Sequence, residues 1–115
     1  MAFTQCCGRW LEAEALAPDA ESLMRSRYCA FVLHKAPYLL RTWHASKRPS
    51  KVSFDDGVKW LGLEVRDVTK VDEHHAEVEF VARQRAPGGR AVRLVERSRF
   101  VREGGAWFYV DGTHL

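Results

Sequence analysis

The amino-acid sequence predicts an α+β domain, with two helices near the N-terminus lying on a four-stranded antiparallel sheet. Three observations predict it. Ala20 to His34 (AESLMRSRYCAFVLH) is the longest stretch with helical periodicity. From Trp60 onward the apolar period drops to two, the repeat of a strand. Turn signals at Asp72–His75, Pro87-Gly88-Gly89 and Gly104-Gly105 then divide that half of the chain into four strands.

The first helix follows from its wheel. Leu23, Met24, Ala30 and Phe31 share one sector with Ala20, which is the stripe a helix buries against a sheet, while Arg25 and Ser26 fall off it. Asp19 is the expected N-cap, Glu21 sits in the first turn, and Pro37 sets a stop near Ala36. Arg27 lies near the middle of the apolar stripe, with His34 close by. An arginine there needs either a buried partner or a route for its head group past the sheet edge. Pro37 to His44 (PYLLRTWH) fits a short second helix with the proline at its first position and Leu39, Leu40 and Trp43 as its packing face. Ala45 to Gly57 is a polar connector punctuated by Pro49 and Asp56-Gly57.

In the first strand, Leu61, Leu63 and Val65 point one way and Trp60, Glu64 and Arg66 the other. The next strands are Ala76 to Arg85, Ala91 to Arg102 and Ala106 to Gly112. Register between the middle pair follows from charge. If Arg85 faces Ala91, Glu79 meets Arg97 and Glu77 meets Arg99 on the same face as Val81 and Val95. The other face then pairs Ala82 with Leu94, Phe80 with Glu96 and Val78 with Ser98; the cost is Arg83 opposite Arg93. A tight turn with Glu103 opposite Ala106 adds Trp107, Tyr109 and Asp111 to this inner face. The outer face is a salt-bridged surface. A site for an acidic partner around Arg83, Arg85 and Arg93 is its minor alternative.

The 115 residues make one domain, and the net charge of +3 is spread without a basic block or tail, so no nucleic-acid partner is expected. No apolar run approaches a membrane span and the chain opens without a signal-peptide core, so a cytoplasmic protein is expected. Three cysteines, two of them adjacent, do not make a disulfide framework and suggest a reducing compartment. Cys29 faces away from the helix stripe and has no evident partner. Cys6 and Cys7 supply two thiolates where zinc needs about four ligands. Zinc is therefore expected only if another chain, or sequence upstream, completes the site.

Phe3 to Gly8 (FTQCCG) resembles the closing half of a SEC-C motif. The blocks Leu23 to Tyr28 (LMRSRY), Thr42-Trp43-His44, Trp60 to Leu63 (WLGL), Glu96 to Phe100 (ERSRF) and Trp107 to Gly112 (WFYVDG) are similar to those of the YchJ-like family of bacterial SEC-C proteins. The resemblance covers nearly the whole chain. It implies a nuclear-transport-factor-2-like, or cystatin-like, cone in which the helices pack into a curved sheet. It divides the chain into a partial SEC-C motif at residues 1–16 and a single α+β domain at 17–115, and it brings no activity with it.

The inner face carries polar groups where a core is expected. Arg27, Glu96, Ser98, Trp107, Tyr109 and Asp111 are the pocket candidates, with Arg27–Glu96 the preferred ion pair and Asp111 the second partner. Three readings follow. The pair locks the helix onto the sheet; or the cone holds a small anionic or apolar ligand; or a carboxylate and Tyr109 act as base and donor in an isomerase or dehydratase. The last rests on fold analogy alone, since no spacing demands chemistry. The expectation is a non-catalytic binding or protein-interaction module, or a zinc-dependent one if the SEC-C site is completed. A homodimer through Val81, Val95, Val101 and Phe108 on the outer face is plausible.

Overall fold

A computed structural model describes residues 19–54 and 57–115, and the residues of the partial SEC-C motif lie outside these. Two helices, α1 (Ala20–Val32) and α2 (Ala36–Arg41), precede four strands, β1 (Lys59–Asp72), β2 (His75–Arg85), β3 (Ala91–Glu103) and β4 (Ala106–His114). The strands form one antiparallel sheet in the order β1-β2-β3-β4. Among the described residues no helix is long and apolar enough to cross a membrane.

Asp19 caps α1 as expected, its carboxylate accepting from the Ser22 N–H at 2.7 Å. The helix ends at Val32, and His34 turns the chain in the left-handed region at φ 57° before Pro37 opens α2. The second helix is shorter than the sequence predicts. After Arg41 the chain straightens and docks on the free edge of β4. There the Tyr109 N–H donates to the Thr42 carbonyl at 2.8 Å and the His44 N–H to the Tyr109 carbonyl at 2.7 Å. Backbone pairing with an open sheet edge thus replaces the last helical turn. Ser26, expected off the buried stripe, is fully buried, because α2 covers that side of α1. Its hydroxyl bonds the Leu23 carbonyl and the Tyr38 hydroxyl. Cys29, expected without a partner, is disulfide-bonded.

The main core lies between α1 and the inner face of the sheet, where Ala20, Leu23 and Met24 meet Ala76, Val78 and Phe100. Leu23, Val78 and Phe100 are almost wholly buried, and each such side chain contributes about 1.5–3 kcal/mol. A second cluster of Ala30, Tyr38 and Leu39 ties α2 to α1.

The β2–β3 register is the one the charges select: Glu79 faces Arg97, Glu77 faces Arg99, and Arg93 stands opposite Arg83. On the outer face Arg97 gathers Glu77, Asp67 and Glu79 at 2.5, 3.1 and 3.5 Å. Val81 is buried there and Val95, Val101 and Phe108 are half-buried, so the face is not an open apolar patch.

The register shifts at three places along β1 and at one in β4, and two of these bulges change the face that site residues take. In β1 the register shifts between Trp60 and Gly62, leaving Leu61 unpaired and exposed. Trp60 therefore turns inward, opposite to its expected direction. In β4 the shift lies between Tyr109 and Asp111, with Val110 as the extra residue. Past that point every side chain changes face. Asp111, expected on the inner face, now stands outside, opposite Arg99, whose Nε donates to it at 2.5 Å. Gly112 and His114 take inner positions beside Ser98 and Glu96.

Candidate functional site

A cavity of about 190 Å³ lies between α1 and the inner face. Helix α1 supplies Met24, Arg27, Tyr28 and Phe31; Trp43 and Trp60 close the sides; the floor comes from Phe80, Ala82, Leu94 and Phe100. Glu96, Ser98, Tyr109 and His114 complete the lining. An apolar, aromatic chamber with a few converging polar groups is the usual form of a small-molecule site.

Of the six pocket candidates read from the sequence, Arg27, Glu96, Ser98 and Tyr109 line this cavity. Trp107 does not: it packs against the main core cluster. Asp111 does not either, because the Val110 bulge carries it to the outer face and to Arg99.

Arg27 is 5% exposed, yet it is not ion-paired with Glu96 as expected. Its Nη1 donates to the Leu39 carbonyl at 2.8 Å and to the Thr42 hydroxyl oxygen at 2.7 Å. The guanidinium carbon lies 4.5 Å from the centre of the Tyr109 ring and 5.1 Å from that of Trp43. Those two rings meet edge to face, so the cation is held in an aromatic corner. Burial pulls its pKa down to about 10, against the opposing pull of the Tyr109 and Tyr38 phenols and the Glu96 carboxylate. At neutral pH it is a cation. Arg27 therefore neither escapes past the sheet edge nor spends itself on a carboxylate: α2 and the chain after it present acceptors that the α1 wheel cannot reveal.

Glu96 is positioned from three sides. Ser98, 1% exposed, donates its hydroxyl to Oε2 at 2.5 Å. Gly112 lies directly beneath the side chain, leaving room that a Cβ would fill. His114 Nε2 stands 3.6 Å from Oε1, too far for a hydrogen bond. Tyr109 has its pKa pushed up to about 12, first by burial and then by Glu96, so it carries a neutral hydroxyl at physiological pH.

Sequence reasoning missed Trp43, Trp60, Gly112 and His114 as members of the site. One signal was present for the last two. Strict alternation strands Asp111 on the apolar face, whereas one extra residue brings it to Arg99. The unpaired carboxylate thus argues for a bulge. Among the described residues no group of three or more His, Cys, Asp or Glu side chains could hold a metal ion. Cys6 and Cys7 lie outside those residues.

Comparison with known proteins fits this architecture. The family model for the middle, NTF2-like domain of YchJ matches residues 19–112. A UPF0225 protein of a Polaromonas species is 68% identical over 114 residues, covering 97% of this chain and 82% of that protein. A UPF0225 protein of Bordetella pertussis is 57% identical over 115 residues, covering 96% and 85%. Two solved structures share the fold. The solution structure of RPA3114, a SEC-C motif containing protein from Rhodopseudomonas palustris, has a TM-score of 0.86 at 30% identity, over 99% of this chain and 92% of that one. A crystal structure of a SEC-C motif containing protein from Psychrobacter arcticus has a TM-score of 0.80 at 30% identity, over 100% and 73%. These matches define a nuclear-transport-factor-2-like α+β domain of the SEC-C protein group. The chain belongs to the YchJ-like (UPF0225) family, as its sequence blocks imply.

Proposed function

We propose that this chain is a non-catalytic binding module whose cone takes a small molecule with an apolar body and an anionic or carbonyl end, the latter meeting Arg27. The observation that supports this reading is the unfinished hydrogen bonding of a buried cation. Arg27 spends Nη1 on Leu39 and Thr42, while Nε and Nη2 have no hydrogen-bond partner among the described residues. Neither nitrogen is sealed off, since no buried side-chain nitrogen or oxygen there lacks a partner. Arg27 lines the cavity. The three open N–H groups of Nε and Nη2 suit a carboxylate or carbonyl. A cytoplasmic location belongs to the same proposal and is tested by fractionation of the producing cells.

The test is amide-detected NMR titration with 3-phenylpropanoate, an apolar carboxylate, against the wild type and Ala82→Leu, which fills the chamber from its floor. Saturable shifts in α1 and β3 that vanish in Ala82→Leu are expected. Shifts that do not saturate, or that persist unchanged in the filled variant, overturn the reading.

A further inference from the structure

The cavity holds a second charge that the carboxylate-binding reading leaves unused. Glu96 has a side chain only 16% exposed, and it lines the same chamber as Arg27. A carboxylate only accepts hydrogen bonds. Ser98 satisfies Oε2, while Oε1 has only the exposed His114 Nε2 near it, at 3.6 Å, and no hydrogen-bond donor among the described residues. The two charges feel one another across the chamber, since Glu96 helps to hold the Arg27 proton, yet no ion pair joins them. Buried opposite charges normally close on each other. Here Arg27 is held back by the Leu39 carbonyl, Thr42 and the rings of Trp43 and Tyr109, and Glu96 by Ser98 over Gly112.

Two fixed opposite charges facing an aromatic chamber form a site for a dipole. A ligand with only an anionic end satisfies Arg27 but desolvates Glu96 without replacing its water. A ligand with only a cationic end does the reverse. Resting on the binding reading above, we propose that the ligand is a small apolar zwitterion of the amino-acid type, its carboxylate toward Arg27 and its ammonium toward Glu96. The surrounding rings of Tyr28, Phe31 and Trp60 receive the apolar body and favour an ammonium nearby. Tyr109, a neutral hydroxyl without a hydrogen bond among the described residues, is free to serve either end.

The experiment uses a matched set in the same NMR titration: phenylalanine, 3-phenylpropanoate, which lacks its amine, and 2-phenylethylamine, which lacks its carboxylate. The β- and γ-amino homologues of phenylalanine extend the set to longer charge separations. At least one zwitterion is expected to bind about tenfold or more tighter than either single-charge analogue. Glu96→Gln, which keeps the side-chain shape and an acceptor for Ser98, should erase that advantage by weakening the zwitterion, while 3-phenylpropanoate binds as well as to the wild type or more tightly. If 3-phenylpropanoate binds and no zwitterion exceeds it, the zwitterion proposal falls and the binding reading stands. If only 2-phenylethylamine binds, both fall. An advantage that survives Glu96→Gln also overturns the proposal.

Discussion

The Glu96 side chain lies directly over Gly112, so closely that a Cβ at position 112 would come within 2.6 Å of the carboxyl carbon. Glycine is needed there for space rather than for backbone freedom. Because the group in the way is the end of a flexible side chain, Gly112→Ala should displace Glu96 rather than unfold the sheet. The displaced carboxylate leaves the buried Ser98 hydroxyl, at a cost of about 1–2 kcal/mol. In a Glu96→Ala background the same glycine substitution should cost almost nothing. Urea denaturation of the four proteins in this cycle measures the coupling. Additive losses would mean that Glu96 does not depend on Gly112.

The same cycle marks how far the sequence could be read. Helix α1, its Asp19 cap, the β2–β3 register and the inner location of Glu96, Ser98 and Tyr109 all follow from local rules of period, capping and charge. What did not follow arises where a local rule is broken by a distant partner. Period two carries Asp111 inward until Arg99 is allowed to compete for it, and carries Trp60 outward until Leu61 is allowed to bulge. The α1 wheel leaves Ser26 uncovered and Arg27 without acceptors because α2 and Thr42 come from outside the helix. Four of the six candidates line the chamber, and the residues missed sit next to the two bulges, as Trp60, Gly112 and His114 do, or on the chain after α2, as Trp43 does.

Arg27 and Glu96 should behave differently in stability measurements. Arg27→Ala removes two hydrogen bonds and two ring contacts from a buried position, and a loss of about 3 kcal/mol or more is expected. Arg27→Lys should recover little of it, because an ammonium cannot lie flat between Trp43 and Tyr109. Glu96→Gln should cost under about 1 kcal/mol, since the only pair it breaks among the described residues is the long one with exposed His114, at 3.6 Å, and not one with Arg27. Chemical denaturation separates the cases. Equal losses for Arg27→Ala and Glu96→Gln would point instead to a direct pair.

The bulge at Val110 can be tested by deleting that residue. Without it the strand loses its bulge but not its register: Tyr109 still faces Phe100, and Asp111, now the next residue, still faces Arg99 on the outer face. Trp43 also loses the Val110 carbonyl that its indole N–H now reaches at 3.2 Å. With the Asp111–Arg99 pair kept, the lost indole hydrogen bond makes a cost of about 1–2 kcal/mol the expected outcome. Adding Asp111→Asn to the deletion should restore nothing and cost up to about 1 kcal/mol more, because it breaks the half-exposed pair with Arg99. A deletion variant that Asp111→Asn stabilises would show instead that Asp111 has moved to the apolar face. Thermal denaturation of the three proteins reads the result.

Alkaline stability offers a test of the Tyr109 environment. An ordinary phenol ionises near pH 10, and burial beside Glu96 moves this one up to about 12. Between those values the folded protein keeps a proton that the unfolded chain releases, so stability from this group is fully present below about pH 10. It is lost as pH rises through 12. Arg27 acts in the opposite sense: its folded pKa of about 10 lies below that of a free arginine, so its burial penalty is relieved over the same range. Tyr109→Phe keeps the ring against Arg27 and Trp43 but removes the phenol's contribution; it also removes the phenol's hold on the Arg27 proton, which acts in the same direction, and leaves the contributions of Tyr28 and Tyr38 in place. Urea midpoints measured between pH 9 and 11 should therefore fall less steeply in Tyr109→Phe than in the wild type. Parallel slopes would mean that the Tyr109 hydroxyl titrates alike in folded and unfolded chains, and that the chamber around it is wetter than its aromatic walls suggest.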